Sequence, residues 1–215
     1  MVVPAAPALA EIKNNDLYYN ALVKSDFAIP DSGFMIIILK LFKGIQLNKL
    51  SGVEFLRNFI KSYNNSDNLF LVDPSKENSI FNNRYLNNNG INVSIDDHYI
   101  APFYNENDVN DHKLLDLLEK KKPNFIIINL GGGIQEPLGL FLKENLTFQP
   151  GIICTGAAIA ILNGQQAPIP IWLDKIHFGW LSRCISNPKV FIPRYFKGFK
   201  LLPLLLKKKI IIKEN

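Results

Sequence analysis

The stretch Ile126 to Pro137, IIINLGGGIQEP, sets an apolar run against three consecutive glycines and follows them at once with a Gln-Glu pair. An apolar run that ends in glycines and opens into a polar helix start reads as a buried strand delivering its C-terminal end to a ligand. Glycine lets the backbone approach a phosphate or a sugar closely, and the N–H groups of a helix start favour negative charge. The stretch lacks the spaced G-x-G-x-x-G of a dinucleotide site and the Lys-Ser/Thr of a P-loop. A tight turn at a strand end is the plainer alternative for the same residues.

On either side of this stretch, short apolar segments alternate with longer amphipathic ones. Upstream, Asp26 to Pro30 leads to a strand end at Asp31-Ser32-Gly33. In Gly52 to Tyr63 the residues Val53, Phe55, Leu56, Phe59 and Ile60 fall on one helical face. Asn68 to Val72 reads as a strand, Ser79 to Asn88 as a short helix, and Asn92 to Ile95 as another strand. Asp111 to Lys121 is a helix opened by Asp108 or Asn110, Phe125 to Asn129 a strand, and Gly151 to Thr155 a last strand. This βαβα rhythm predicts an α/β fold, with a mainly parallel, Rossmann-like sheet carrying helices on both faces. Ligands of such sheets sit beyond the C-terminal strand ends. Here those ends are Asp31-Ser32-Gly33, Tyr99 to Phe103, Gly131 to Glu136, and Thr155-Gly156.

Charge divides the chain unevenly. Between Lys175 and Lys213 lie ten Lys or Arg and no Asp or Glu, whereas the whole chain has 24 basic and 19 acidic residues, so an acidic body bears a basic tail. Among those charges stand Trp180, Phe191, Tyr195, Phe196, Phe199 and the run Leu201-Leu202-Pro203-Leu204-Leu205-Leu206. Lysines beside aromatic and leucine-rich stretches suit an anionic membrane surface. A C-terminal helix docked on the body with its lysines solvated is the plainer reading. Bare leucines are poor groups to offer a phosphate backbone, which argues against nucleic acid as the partner. The chain divides accordingly into an α/β core, residues 1–172, and a basic, amphipathic, membrane-associating appendage, residues 173–215.

With 215 residues and 47% hydrophobic content, the chain can build one sizeable core. Cys154 and Cys184 are too few for a disulfide framework and read as core residues of a reduced, cytosolic protein. No apolar run reaches the roughly 18 residues that span a bilayer, and the opening MVVPAAPALAEIKNND has no signal-peptide pattern. His98, His112 and His177 lack ligand spacing, so no metal site is predicted.

The ordered series IPDSGF, HYIAPF, INLGGGIQEP, TGAAIAILNG, QAP, GWLSR, NP and PRY resembles the WecG/TagA/CpsF family of glycosyltransferases over essentially the whole chain. Corresponding family patterns are P-D-G, an aromatic before Pro-Phe, G-x-P-K-Q-E, G-A-x-F-D-F-x-A-G, R-A-P, E-W-x-x-R, E-P and R-R-Y. The resemblance implies an inverting, metal-independent transferase of the GT-E-like fold with no cofactor. It would move an N-acetylmannosamine-type sugar from a UDP-sugar donor to a polyprenyl-pyrophosphate-linked sugar, peripherally on the cytoplasmic face of the membrane. Its products would serve cell-surface polysaccharide or teichoic acid synthesis, and a homo-oligomer is compatible with it.

By the same resemblance Asp31 is the candidate base, taking the acceptor hydroxyl proton as that oxygen attacks the anomeric carbon. A turn or N-cap aspartate is the plainer role. Gln135 and Glu136 match donor-side hydrogen-bonding groups, with Gly131, Gly132 and Gly156 giving backbone access and Tyr99, Pro102 and Phe103 matching the turn near the nucleotide. Arg183, Arg194 and Lys197 fall to the acceptor pyrophosphate or lipid headgroups.

Several positions depart from the pattern. Val3-Pro4-Ala5 stands where a polar T-x-N is usual, which suggests a missing or remodelled first strand. Ile134 replaces the lysine of G-x-P-K-Q-E, Ala160 the aspartate of F-D-F, and Gly179 the glutamate of E-W. These losses leave a second reading open: a catalytically inactive relative that binds a lipid-linked glycan or a partner transferase.

Overall fold

The structure is a computed structural model and describes residues 1–105, 108–167, 173 and 179–207, with the backbone alone at Trp180, Arg194 and Lys207. Four strands form one parallel sheet: β1 (Leu69–Asp73), β2 (His98–Ile100), β3 (Phe125–Ile128) and β4 (Gly151–Cys154), in the order β2-β1-β3-β4. Among the described residues, eight helices precede or separate the strands or follow the last of them. They are α1 (Ala6–Leu9), α2 (Asp16–Val23), α3 (Gly33–Lys43), α4 (Gly52–Ser62), α5 (Lys76–Asn88), α6 (His112–Lys121), α7 (Gln135–Asn145) and α8 (Ala158–Leu162). Three more, α9 (Gly179–Ser186), α10 (Pro188–Gly198) and α11 (Leu201–Lys207), come from the basic tail.

Strand alternation sends Phe70, Val72, Ile126, Ile128 and Cys154 into one core, against Leu114 and Leu118 of α6 and Leu138 and Leu142 of α7. Leu69, Leu71, Ile127 and Ile153 face the opposite core, with Leu56 and Ile60 of α4, Leu86 of α5 and Ile159 of α8. Both faces are buried, as a parallel sheet requires, and the fold is α/β and Rossmann-like. A third, smaller core joins Ala6 and Ala10 to Leu201, with Phe34, Met35 and Leu204 packed against it. The tail helices are thereby docked on α1 and α3.

The first strand is remodelled to a short bridge. Val2 pairs in parallel with both Ala28 and Cys154, so the segment at Val2 continues the sheet beyond β4. The N–H groups of Val2 and Ile29 donate to Phe27 and Val2 carbonyls, and that of Cys154 to Met1. Asp31 to Gly33 is consequently not a strand end. Pairing stops at Ala28, and Ser32 caps α3, its hydroxyl accepting from the Met35 N–H at 3.2 Å.

Two further expectations shift. The edge strand is His98–Ile100 rather than Asn92 to Ile95, because Ser94 caps a single 3-10 turn over Ile95–Asp97 first. Asp111, not Asp108 or Asn110, opens α6. One carboxylate oxygen accepts from the Leu114 N–H at 2.9 Å, and the other from the Tyr99 and Tyr104 hydroxyls.

Candidate active site

A cleft of about 400 Å³ opens beyond the C-terminal ends of β1, β3 and β4. That volume lies within the range of small-molecule sites. Its floor is Pro74, Asn129, Leu130 and Thr155; its walls are the segment Val3 to Ala8, Asp31 to Phe34, Ser51 to Val53, Gly131-Gly132 and the helix start at Gly156 to Ala158. Gly179, Arg183, Tyr195, Gly198 and Phe199 close one side, so α9 and α10 are a wall of the cleft.

Asp31 stands between two helix starts. It immediately precedes Ser32, the N-cap of α3, and its Oδ1 accepts from the Gly52 N–H of α4 at 3.1 Å. The N-terminal dipole of α4 favours the charged carboxylate there. Asp31 is half-buried on the cleft wall, within reach of a bound ligand.

The glycine loop is pinned from below by the pair that follows it. Gln135 Oε1 accepts from the Gly156 N–H at 2.8 Å, and Gln135 Nε2 donates to Glu136 Oε1 at 3.1 Å. Glu136 Oε2 in turn accepts from the Gly133 N–H at 2.7 Å. Gly133 (φ 91°) and Gly156 (φ 60°) both occupy the left-handed region, where a side chain would strain the backbone. The Gln-Glu pair thus ties the loop after β3 to the loop after β4 and holds Gly131 and Gly132 at the cleft. Burial pushes the Glu136 carboxyl above the usual carboxylate range, against the hydrogen bonds from Gly133 and Gln135 that favour its charged form.

Among the described residues, two cations line the cleft, Lys49 and Arg183. Arg183 lies over the Phe191 ring at 5.4 Å, and its Nη2 donates to Gln166 Oε1 at 3.4 Å. Lys49 comes from the irregular segment between α3 and α4, which carries no pattern in the sequence that would mark it.

The structure brings Asp31, Gly131, Gly132, Gln135, Gly156 and Arg183 together in this cleft. Glu136 is fully buried beneath the loop and does not line it, because one residue along a helix turns the side chain away from the cleft. Tyr99, Pro102 and Phe103 also lie outside it. Tyr99 is part of edge strand β2, and Pro102 and Phe103 follow it; the Tyr99 hydroxyl donates to Asp111 Oδ2 at 2.8 Å, and Phe103 is fully exposed. Lys197 is exposed on α10 away from the cleft. The side chain of Arg194 lies outside the described residues, as do Lys175, His177 and Lys208 to Lys213. The altered positions are accounted for locally: Val3 lines the cleft, Ile134 packs against the core beside α7, and Ala160 is buried in α8.

Asn129, Lys49 and Ser51 are cleft residues that the sequence reading did not single out. For Asn129 a signal exists: a polar residue ends an otherwise apolar strand one position before the glycine loop.

A parallel α/β sheet with a carboxylate, a backbone-lined glycine loop and, among the described residues, two cations around one cleft has the form of a small-molecule site at its strand ends. The model of the Glycosyl transferase WecG/TagA/CpsF family matches residues 1–215, and the chain belongs to that family. It is therefore a glycosyltransferase of cell-surface polysaccharide synthesis, acting on a sugar donor and an acceptor. Among curated proteins, none matches the chain.

Proposed function

We propose that the chain transfers a hexose, of N-acetylmannosamine type, from a UDP-sugar to a polyprenyl-pyrophosphate-linked sugar, with inversion and while bound to an anionic membrane surface. The convergence of Asp31, the glycine loop and Arg183 on one cleft carries this reading. Asp31 takes the proton of the acceptor hydroxyl as its oxygen attacks the anomeric carbon, and the UDP leaves from the opposite face. Gly131 and Gly132 let the backbone approach the diphosphate, and Lys49 and Arg183 supply positive charge in place of the lysine that Ile134 replaces. Gln135 acts by holding the loop.

The membrane surface in this reading is broader than the tail. Ile185, Val190, Ile192, Phe196 and Phe199 are exposed on or beside α9 and α10, with Lys189, Lys197 and Lys200 among them. Helix α3 adds exposed Leu41 and Phe42, flanked by Lys40 and Lys43, and Lys43 Nζ reaches the Leu206 carbonyl of α11 at 3.0 Å. Apolar side chains ringed by lysines suit the headgroup boundary of an anionic bilayer. Among the described residues, no helix is long and apolar enough to cross a membrane.

The test is UDP release on anionic vesicles carrying a lipid-pyrophosphate-linked N-acetylglucosamine, across a panel of UDP-sugars, with Asp31→Asn beside the parent. Turnover with one donor that collapses in the variant supports the transfer. Vesicle binding without turnover on any donor favours the inactive relative, a reading motivated by Val3, Ile134 and Ala160.

A further inference from the structure

Val72, Ile128 and Cys154 are in register across β1, β3 and β4, so the residues that follow them, Asp73, Asn129 and Thr155, stand side by side where the sheet meets the cleft. All three are buried and polar. Asp73 is fully engaged. Its Oδ2 meets His98 Nδ1 at 2.6 Å, and its Oδ1 accepts from Asn82 Nδ2 at 2.7 Å and from Asn129 Nδ2 at 2.8 Å. Asn82 is held in turn by Asn163, whose Nδ2 donates to Asn82 Oδ1 at 2.7 Å.

A carboxylate only accepts hydrogen bonds, so Asp73 dictates that Asn129 turns its NH2 group inward. The amide oxygen is left over. Asn129 Oδ1 and Thr155 Oγ1 are both buried and have no hydrogen-bond partner among the described residues. Each residue is only 7% exposed, and each lines the cleft. Buried polar atoms without partners are rare, because they lose their water and gain nothing in exchange. Two at adjacent strand ends, bordering the same cleft, point to a ligand that completes them.

The chemistry of the pair selects that ligand. An amide oxygen repels phosphate oxygens, which accept as it does, and a threonine hydroxyl can donate or accept. We propose that Asn129 Oδ1 and Thr155 Oγ1 recognise a hydrogen-bond-donating group on the uncharged part of the nucleotide-sugar, with Asp73 a positioning residue that fixes the amide. That group is an imide N–H of the base or a hydroxyl of the sugar. The diphosphate then lies toward Gly131, Gly132 and Arg183 instead. This inference rests on the donor reading above and adds to it which residues choose the donor.

The test is calorimetric titration of UDP, UDP-N-acetylglucosamine, UDP-N-acetylmannosamine and inorganic pyrophosphate onto the full chain and onto Thr155→Val, Asn129→Leu, Asp73→Asn and the Asp73→Asn/Asn129→Leu double variant. Thermal unfolding of each is measured alongside. Thr155→Val is the least disruptive, since it replaces an unpartnered hydroxyl by a methyl of similar size, and its unfolding temperature should not fall. Its affinity for nucleotide donors should nevertheless drop roughly tenfold, the scale of one lost hydrogen bond. Asn129→Leu should lose at least as much, Asp73→Asn a similar amount, and the double variant no more than Asn129→Leu alone, because Asp73 acts through the amide. Pyrophosphate affinity should stay at the parent value in Thr155→Val and Asn129→Leu. Loss for UDP and UDP-sugars alike assigns the uridine as the partner; loss for the UDP-sugars only assigns the transferred sugar. Parent-like nucleotide binding by Thr155→Val and Asn129→Leu would overturn the inference and leave the donor reading standing. A parent chain that binds pyrophosphate but no uridine nucleotide would overturn both.

Discussion

Replacing Leu41 and Phe42 together by serine removes the two exposed apolar side chains of α3. Leu41 is 71% exposed and Phe42 58% exposed. Fully burying a side chain of this kind contributes about 1.5–3 kcal/mol. Scaled by the exposed fractions, insertion into the acyl boundary would contribute about 1–2 kcal/mol for each residue, or about 2–4 kcal/mol for the pair. Because about 1.4 kcal/mol is tenfold, vesicle affinity should fall roughly 30-fold or more. Sedimentation with vesicles containing phosphatidylglycerol, at fixed salt, measures it directly. The unfolding temperature should hardly move, since neither side chain supports a core. A double variant that sediments like the parent would refute the reasoning and remove α3 from the membrane surface.

Asp31→Asn should lower kcat by about 100-fold or more, the usual contribution of a positioned base, with a much smaller change in KM; steady-state UDP release checks this. Gln135→Leu leaves the Gly156 N–H and Glu136 Oε1 without their partner and should cost about 1–3 kcal/mol for each group, seen as a lower denaturant midpoint. Gly139→Val should destabilise by about 1–3 kcal/mol in the same measurement, since even a Cβ at Gly139 would lie 2.9 Å from Cys154 Sγ. Burial raises the carboxyl pKa of Glu136, so its contribution to stability is fully present below the unfolded pKa and is lost as pH rises through the folded value. Glu136→Gln cannot ionise; the difference in unfolding temperature, variant minus parent, should therefore become more positive from about pH 4.5 upward and then level off. A pH-independent difference would contradict the buried charge.

The central strands were legible because they are continuous apolar runs, Leu69 to Val72, Phe125 to Ile128 and Ile152 to Cys154, buried on both faces. Strand β2 was not, since His98-Tyr99-Ile100 is short, sits at the edge and owes its place partly to the buried His98–Asp73 contact. Helix α3 is not legible for a related reason: its run of apolar residues is nearly unbroken and shows little periodicity. Within the site, the glycines and Asp31 could be read from motif order. That order does not separate Gln135, which meets the cleft, from Glu136, which lies under it; helical rotation decides between them. Lys49 and Asn129 depend on contacts between distant segments, the first on how an irregular loop packs and the second on Asp73, 56 residues away in the chain.

Helix α1 and the residues before it meet partners far along the chain. Val2 sits beside Cys154, Ala6 beside Leu201 and Gly198, and both early and late residues wall the cleft. Contacts of such long sequence separation form late, after the entropy of closing the intervening chain has been overcome. While the protein is being synthesised, the central sheet can assemble before the tail has emerged, and until then Phe34, Met35 and the apolar side of α1 stay uncovered. The cleft is thus completed only after the tail has joined the sheet. Substitutions at Ala6 or Leu201 should act as defects of maturation, lowering the yield of competent enzyme more than its turnover.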